Sequence, residues 1–241
     1  MTARRAAWRW LPVLLAAVMV SGCATSSVAV QSSRDPWESF NRSVWDLNER
    51  LDGAVLRPAA SAWVNTVPAP ARKGVANVLG NIGDVWSGFN QFLQGKPGQG
   101  LNMAGRVLVN TTVGLAGLFD PATGMGLQRR SEDFGQTLGR WGVGSGPYLV
   151  LPLLGPSTAR DGLASALDRA GSPAGLAASD NAALAITVVD TLERRAGLLG
   201  ATDLLDDMAL DKYSLVREAY LARRQDAVQD GATPNNSTTR E

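Results

Sequence analysis

Residues 141–159 read WGVGSGPYLVLPLLGPSTA and carry no charge for 19 residues. That length is close to the roughly 20 residues an apolar helix needs to cross a bilayer. A smooth helix is nevertheless excluded: Gly142, Gly144, Gly146 and Gly155, with Pro147, Pro152 and Pro156, break the backbone pattern again and again. Irregular backbone at membrane depth survives only where protein buries it or where it lines a water-filled cavity. The stretch therefore points to a cavity or gate, with the glycines as hinges. The plainer alternative is a loop packed on the core of a soluble domain, with the glycines as tight turns.

Glycine is concentrated around this stretch. Of 26 glycines, 18 fall between Gly74 and Gly155, where the only acids are Asp84, Asp120, Glu132 and Asp133. Gly80, Gly83, Gly88, Gly105, Gly114 and Gly117 are expected within two long helices, at a cost of about 1 kcal/mol each relative to alanine. Close helix contacts of the kind found in membranes would offset it.

The apolar spacing is helical throughout the body, with no convincing period-2 strand, so the expected fold class is all-α. A first helix is expected from Asp35-Pro36-Trp37-Glu38, with Asp35 as cap, Pro36 at the first helical position and Glu38 completing a capping box. Its stripe is Trp37, Phe40, Val44, Leu47 and Leu51. A second follows Pro68 and Pro70, showing Val75, Val78, Leu79, Ile82, Val85, Trp86, Phe89 and Leu93, and ends at Gly95 and Pro97. A third spans about residues 98–119, and later helices follow Ser157, Asp180 and Asp211. For most of these stripes the expected role is a plain bundle core.

At the N-terminus, Arg4, Arg5 and Arg9 precede an apolar run from Leu11 to Val20, the pattern of an export signal. Val20-Ser21-Gly22-Cys23 resembles a lipobox, and Cys23 is the sole cysteine of the 241 residues. The expectation is a signal peptide over residues 1–22, cleaved to leave Cys23 lipidated, since an unpaired cysteine in an oxidising compartment calls for a reason. The alternative is a buried, inert thiol. Residues 24–34 would be a polar spacer, 35–224 the helical domain and 225–241 a disordered polar tail.

Removing the three arginines of the leader from 23 basic residues, against 22 acidic ones, leaves a formal charge near −2, without a basic footprint for nucleic acid. The chain has no histidine, which rules out Ser-His-Asp and Cys-His catalysis and His-ligated metal sites. A phospholipase built on a Ser-Lys pair would have only Lys73, Lys96 and Lys212 to draw on, none in a catalytic-looking motif.

Several blocks together resemble the MlaA (VacJ) outer-membrane lipoproteins. They are Asp35-Pro36-Trp37-Glu38-Ser39-Phe40-Asn41-Arg42, Val67-Pro68-Ala69-Pro70-Ala71-Arg72, Asn90-Gln91-Phe92-Leu93-Gln94-Gly95, Arg106 with Asn110-Thr111, Glu132-Asp133-Phe134-Gly135-Gln136-Thr137-Leu138-Gly139, Gly142 to Tyr148 with Leu151-Pro152, and Tyr213 to Tyr220. The resemblance implies an all-helical, ring-shaped protein in the periplasmic leaflet of the outer membrane, with a central amphipathic channel. It also implies association with a porin trimer, passage of stray outer-leaflet phospholipids to a periplasmic carrier protein, and no catalysed reaction, cofactor or metal. The family's glycine-flanked hairpin, thought to control the channel, maps onto Gly142, Gly144, Gly146 and Pro147. Beside that, the residues offer Asn77, Asn81, Gln91, Asn102 and Asn110 as polar lining candidates, and Arg42, Arg106 and Asn110 as phospholipid contacts. For the two arginines, ion pairing or a snorkelling surface position is the competing role. The rival from the structural class is a scaffold lipoprotein associated with porins.

Overall fold

The computed structural model describes residues 35–230 except residue 178; the signal peptide, Cys23 and the spacer, and the end of the tail, lie outside the described residues. In chain order the helices are α1 (Glu38–Leu51), α2 (Arg57–Thr66), α3 (Ala69–Leu93), α4 (Pro97–Thr112), α5 (Pro121–Gly124) and α6 (Phe134–Arg140), then α7 (Ala159–Ala170), α8 (Asp180–Met208) and α9 (Lys212–Val228). A π-helical turn, Asp52–Leu56, joins α1 to α2, and a two-stranded antiparallel hairpin, β1 (Tyr148–Leu151) and β2 (Gly155–Thr158), separates α6 from α7. The fold class is all-α with this single small sheet among the described residues. No helix among them is long and apolar enough to cross a membrane.

The starts of six helices follow the sequence, whereas α2, α5 and α6 have no counterpart in the expectations. Prolines open α3 and α4, where a missing N–H costs nothing. Gly95, at φ +73°, ends the α3 hairpin turn, and Lys96 N–H closes it on the Gln91 carbonyl at 2.9 Å. Asp211 caps α9 by accepting from the Ser214 N–H, as expected. For α7 and α8 the caps are Thr158 and Ser179, one residue from the expected Ser157 and Asp180.

Three expectations are corrected. Asp35 does not cap α1, whose N-cap is Trp37 without a side-chain bond. Asp35 is instead fully buried and accepts from Asn41 Nδ2 (2.8 Å), Arg217 Nη1 (3.0 Å) and the Tyr213 hydroxyl, because tertiary donors, one of them charged, satisfy a buried carboxylate better than a helix end does. The third helix stops at Thr112 rather than near Phe119, since Leu115, Ala116 and Gly117 all adopt left-handed backbone and turn Gly117 N–H back onto the Asn110 carbonyl at 2.8 Å. Finally, YLVL is a strand: Tyr148 and Val150 point inward and pair in register with Thr158 and Pro156. Four residues are too few to display a period, and the tip Pro152-Leu153-Leu154 lacks the Asn-Gly or Asp-Gly signal of a tight hairpin.

The larger correction concerns which way the stripes face. Phe40 and Leu47 on α1 are exposed, as are Val85 and Phe89 on α3, while Leu101 and Leu108 on α4 are each 66% exposed. Asn41 on α1, Asn81, Asp84, Asn90 and Gln91 on α3, and Arg106 and Asn110 on α4 are buried in their place. The stripes are therefore not a plain bundle core; polar faces meet inside and apolar faces lie outside. A small apolar cluster remains where Val44 meets Tyr148, Val150 and Tyr213. Helices α3 and α4 run closely together at Gly88, where an added Cβ would sit 3.2 Å from Met103 Cβ, so the glycine there does permit a close contact.

Candidate functional site

The polar interior centres on Arg106, whose relative exposure is 0%. Its Nε donates to Asp84 (3.3 Å), Nη1 to Thr123 Oγ1 (3.0 Å) and to the Leu127 carbonyl, and Nη2 to both oxygens of Asp120 (3.1 and 3.0 Å). All three guanidinium nitrogens are thus committed within the protein. Asn110 joins the same knot, donating to Asp120 at 3.0 Å and accepting from the Ala122 N–H at 3.1 Å. Burial pushes the Asp120 carboxyl up, but hydrogen bonds from Thr123, Arg106 and Asn110 outweigh it and hold the group well below the usual carboxylate range. Asp84 is shared with Arg129, whose Nε and Nη2 reach it at 3.1 Å.

Of the three candidate phospholipid contacts, Arg106 and Asn110 thus come together, but around an internal carboxylate. Arg42 sits apart: it bonds Glu38 (2.8 Å), Asp211 (2.8 Å) and Ser214 (3.2 Å) and lies over the Tyr213 ring, 4.3 Å from its centre, tying α1 to α9. For both arginines the geometry favours the ion-pair role. Three amides expected as polar lining hold loops in place, Asn77 donating to the Leu118 carbonyl, Gln91 to that of Arg130 and Asn102 to that of Gln128, while Asn81 ties α3 to α4 by donating to Thr111 Oγ1.

The hairpin is held by α1. Asn41 donates to the Tyr148 carbonyl (3.1 Å) and accepts from the Val150 N–H (2.9 Å), and Asn48 donates to the Leu151 carbonyl (3.0 Å) and accepts from the Leu153 N–H (2.8 Å). Each carboxamide pairs with β1 as a neighbouring strand would. Seven residues of helix advance about 10.5 Å and three residues of strand about 10 Å, so the two spacings match. Sequence reasoning met Asn41 within the Asp35–Arg42 block and did not single out Asn48; the available signal was two asparagines seven apart on one face. Before the strands, Gly142 (φ +92°) and Gly146 (φ +67°) are left-handed, whereas Gly144 is not and meets nothing within 4 Å of an added Cβ. Pro147 continues this lead-in, its carbonyl accepting from the Ala159 N–H at 3.0 Å. At the tip, Leu153 is left-handed (φ +66°) and exposed with Leu154. Tyr148 is buried with its hydroxyl unpartnered among the described residues, and burial, then the nearby Asp35 carboxylate, pushes that hydroxyl up to about 12.

A cavity of about 560 Å³ opens between α3 and α8, lined among others by Gly80, Trp86, Arg129, Asp168, Glu193 and Arg194. Gly80 makes room for the Arg129 guanidinium, which would lie 2.5 Å from a Cβ there. Trp86 Nε1 donates to Asp168 (2.9 Å) and Trp63 Nε1 to Glu193 (2.6 Å). A second, apolar groove of about 470 Å³ runs along α3 and α4 between Phe89, Phe92 and Leu108. Among the described residues no cluster of His, Cys, Asp and Glu is arranged to hold a metal ion.

A family model described as MlaA lipoprotein matches residues 33–227. The chain belongs to the MlaA lipoprotein family. It is 39% identical over 222 residues to the intermembrane phospholipid transport system lipoprotein MlaA of Shigella flexneri and 38% identical to that of Escherichia coli K12, in both cases over 90% of this chain and 87% of the relative. The Haemophilus influenzae MlaA is 35% identical over 92% of this chain and 90% of its own length. A solved structure reported as the structural basis for maintenance of bacterial outer membrane lipid asymmetry aligns with a TM-score of 0.71 at 38% identity, covering 80% of this chain and 98% of that one. The MlaA match ends at residue 227, and α9 likewise runs to Val228, beyond Arg224 where a polar tail was expected to begin.

Proposed function

We propose that this MlaA-family chain removes phospholipids that have strayed into the outer leaflet of the outer membrane, letting them pass through a channel to a periplasmic carrier protein and so maintaining lipid asymmetry. It sits in the periplasmic leaflet, anchored through acylated Cys23, beside a porin trimer. The observation that carries this reading is the inversion of the helices. Exposed Phe40, Leu101 and Leu108 suit contact with acyl chains, and a buried polar frame suits a protein whose interior must admit charged head groups. Among the described residues no helix is long and apolar enough to cross a membrane, and the exposed apolar faces suit a place within one leaflet.

In this reading the hairpin gates the passage, turning on Gly142, Gly144, Gly146 and Pro147, while α1 holds it by Asn41 and Asn48. The test is the amount of phospholipid on the surface of intact cells, with the gene deleted and then restored as wild type or Gly144→Pro. Deletion is expected to raise surface phospholipid, and only the wild type is expected to lower it again. If deletion changes nothing, the transport reading gives way to a scaffold associated with porins. If Gly144→Pro restores asymmetry fully, the gate assignment falls and the transport role stands.

A further inference from the structure

The cavity between α3 and α8 carries both signs of charge in a specific state of pairing. Arg106 and Arg129 are balanced by Asp84 and Asp120, and Arg194 by Asp190 at 2.9 Å. Two carboxylates are left over. Asp168 accepts through Oδ1 from Trp86 Nε1 and the Phe134 N–H (2.7 Å), and Glu193 accepts through Oε2 from Trp63 Nε1; neither has an ion-pair partner among the described residues. Each indole fixes one oxygen and leaves the other, Asp168 Oδ2 and Glu193 Oε1, available. On the cationic side, Arg129 uses only Nε and Nη2 on Asp84 and Arg194 only Nε on Asp190, so Arg129 Nη1 and both terminal nitrogens of Arg194 make no bond among the described residues.

We propose that this cavity receives the head group of a zwitterionic phospholipid with a primary ammonium, its phosphate toward Arg129 and Arg194 and its ammonium toward Asp168 and Glu193. The inference rests on the lipid-transport reading above and adds a head-group class to it. A purely anionic head group satisfies the guanidinium nitrogens but leaves two carboxylates uncompensated beside a further negative charge. A head group with both signs satisfies both sets, and a primary ammonium supplies N–H donors to the two open oxygens. Burial, opposed by the bonds from Phe134 and Trp86, raises the Asp168 carboxyl above its ordinary value, so an incoming cation relieves a charge the fold leaves unpaired. Gly80 and the shared Asp84 hold Arg129 at the wall, which fixes the phosphate end.

The full chain, purified in detergent, would be exchanged into nanodiscs containing phosphatidylethanolamine and phosphatidylglycerol in equal amounts with matched acyl chains, then re-extracted. The lipid it retains would be quantified by mass spectrometry. The expected result is an enrichment of phosphatidylethanolamine of about three- to fivefold, the scale of two partly exposed ion pairs. Asp168→Asn combined with Glu193→Gln brings the ratio to near parity while lipid is still retained. Should the double variant fold poorly, Glu193→Gln alone keeps a side-chain acceptor for Trp63 and is expected to lower the enrichment about twofold. Equal retention of the two lipids by the wild type, or an enrichment untouched by these variants, overturns the head-group assignment and leaves transport standing. Retention of no lipid from either source overturns the transport reading and this inference with it.

Discussion

The frame around Arg106 and the clamp on the hairpin solve the same problem, attaching irregular backbone to a helix, with different materials. Arg106 is fully buried, and three of its five donated bonds end on carboxylates; the segment Asp120–Leu127 is locked to α3 and α4 by charge-assisted bonds in a medium of low dielectric. The hairpin hangs on α1 by four neutral bonds from Asn41 and Asn48, and its outer half, toward Leu153 and Leu154, is exposed. Tyr148 and Val150 anchor the inner half of the hairpin in the apolar cluster, so at about 1 kcal/mol net per neutral bond it is the outer half on Asn48 that is held more weakly than the frame. A rigid polar frame beside a more weakly held hairpin tip is what the proposed gate would need.

The largest expected effect lies in the frame. Arg106→Leu removes one partner of a buried network and leaves Asp84 and Asp120 short of countercharge, with an expected loss of about 3–5 kcal/mol in detergent-solubilised protein measured by chemical denaturation. A loss under 1 kcal/mol would erase the contrast between the two regions. Asn41→Leu comes next. It strips donors from Asp35 and the Tyr148 carbonyl and an acceptor from Val150, at about 2–3 kcal/mol, and hydrogen exchange at Val150 should accelerate while that of α3 stays slow. If both regions accelerate equally, the hairpin is part of the frame.

Gly146→Val forces a β-branched side chain into φ +67° with Ala159 Cβ 3.0 Å away, at about 1–2 kcal/mol; altered lipid passage with normal membrane insertion is the expected phenotype. Asn48→Ala is milder, about 1 kcal/mol, with faster exchange confined to Leu153. At neutral pH acidification is silent. Asp120 and Asp133 both titrate below their ordinary values in the folded chain, so the stability they contribute is complete above about pH 4 and is lost as pH falls through their folded values. A denaturation midpoint that drops below pH 4, and less so in Asp120→Asn, is the expected trace.

Much of the fold was legible. Pro68, Pro70, Gly95 and Pro97 punctuate α3 and α4 because their backbone limits act wherever they stand, and Asp211 caps α9 through a bond three residues away. The hairpin's glycines stood out for the same reason, since left-handed φ at Gly142 and Gly146 is a local demand. Less of the candidate site was legible. Arg106 and Asn110 are phospholipid-contact candidates in the sequence, but the structure turns both onto Asp120, a partner available only because the chain reverses at Leu115–Gly117. The cavity pairs Trp63 with Glu193 across 130 residues and Trp86 with Asp168 across 82, and nothing in either local pattern announces the other half.

The sequence by itself determined that this chain is helical, about where α1, α3, α4, α7, α8 and α9 begin, and that residues 141–159 cannot be one helix. These follow from backbone sterics and from hydrogen bonds that span a few residues. Only the tertiary structure decided which side of each helix turns inward, that Asp35 anchors α9 rather than capping α1, and that Asn41 and Asn48 act as a substitute strand. An apolar stripe records that one face avoids water and not whether a protein core or an acyl chain replaces it, and a buried polar face is stable only when distant partners arrive to satisfy it.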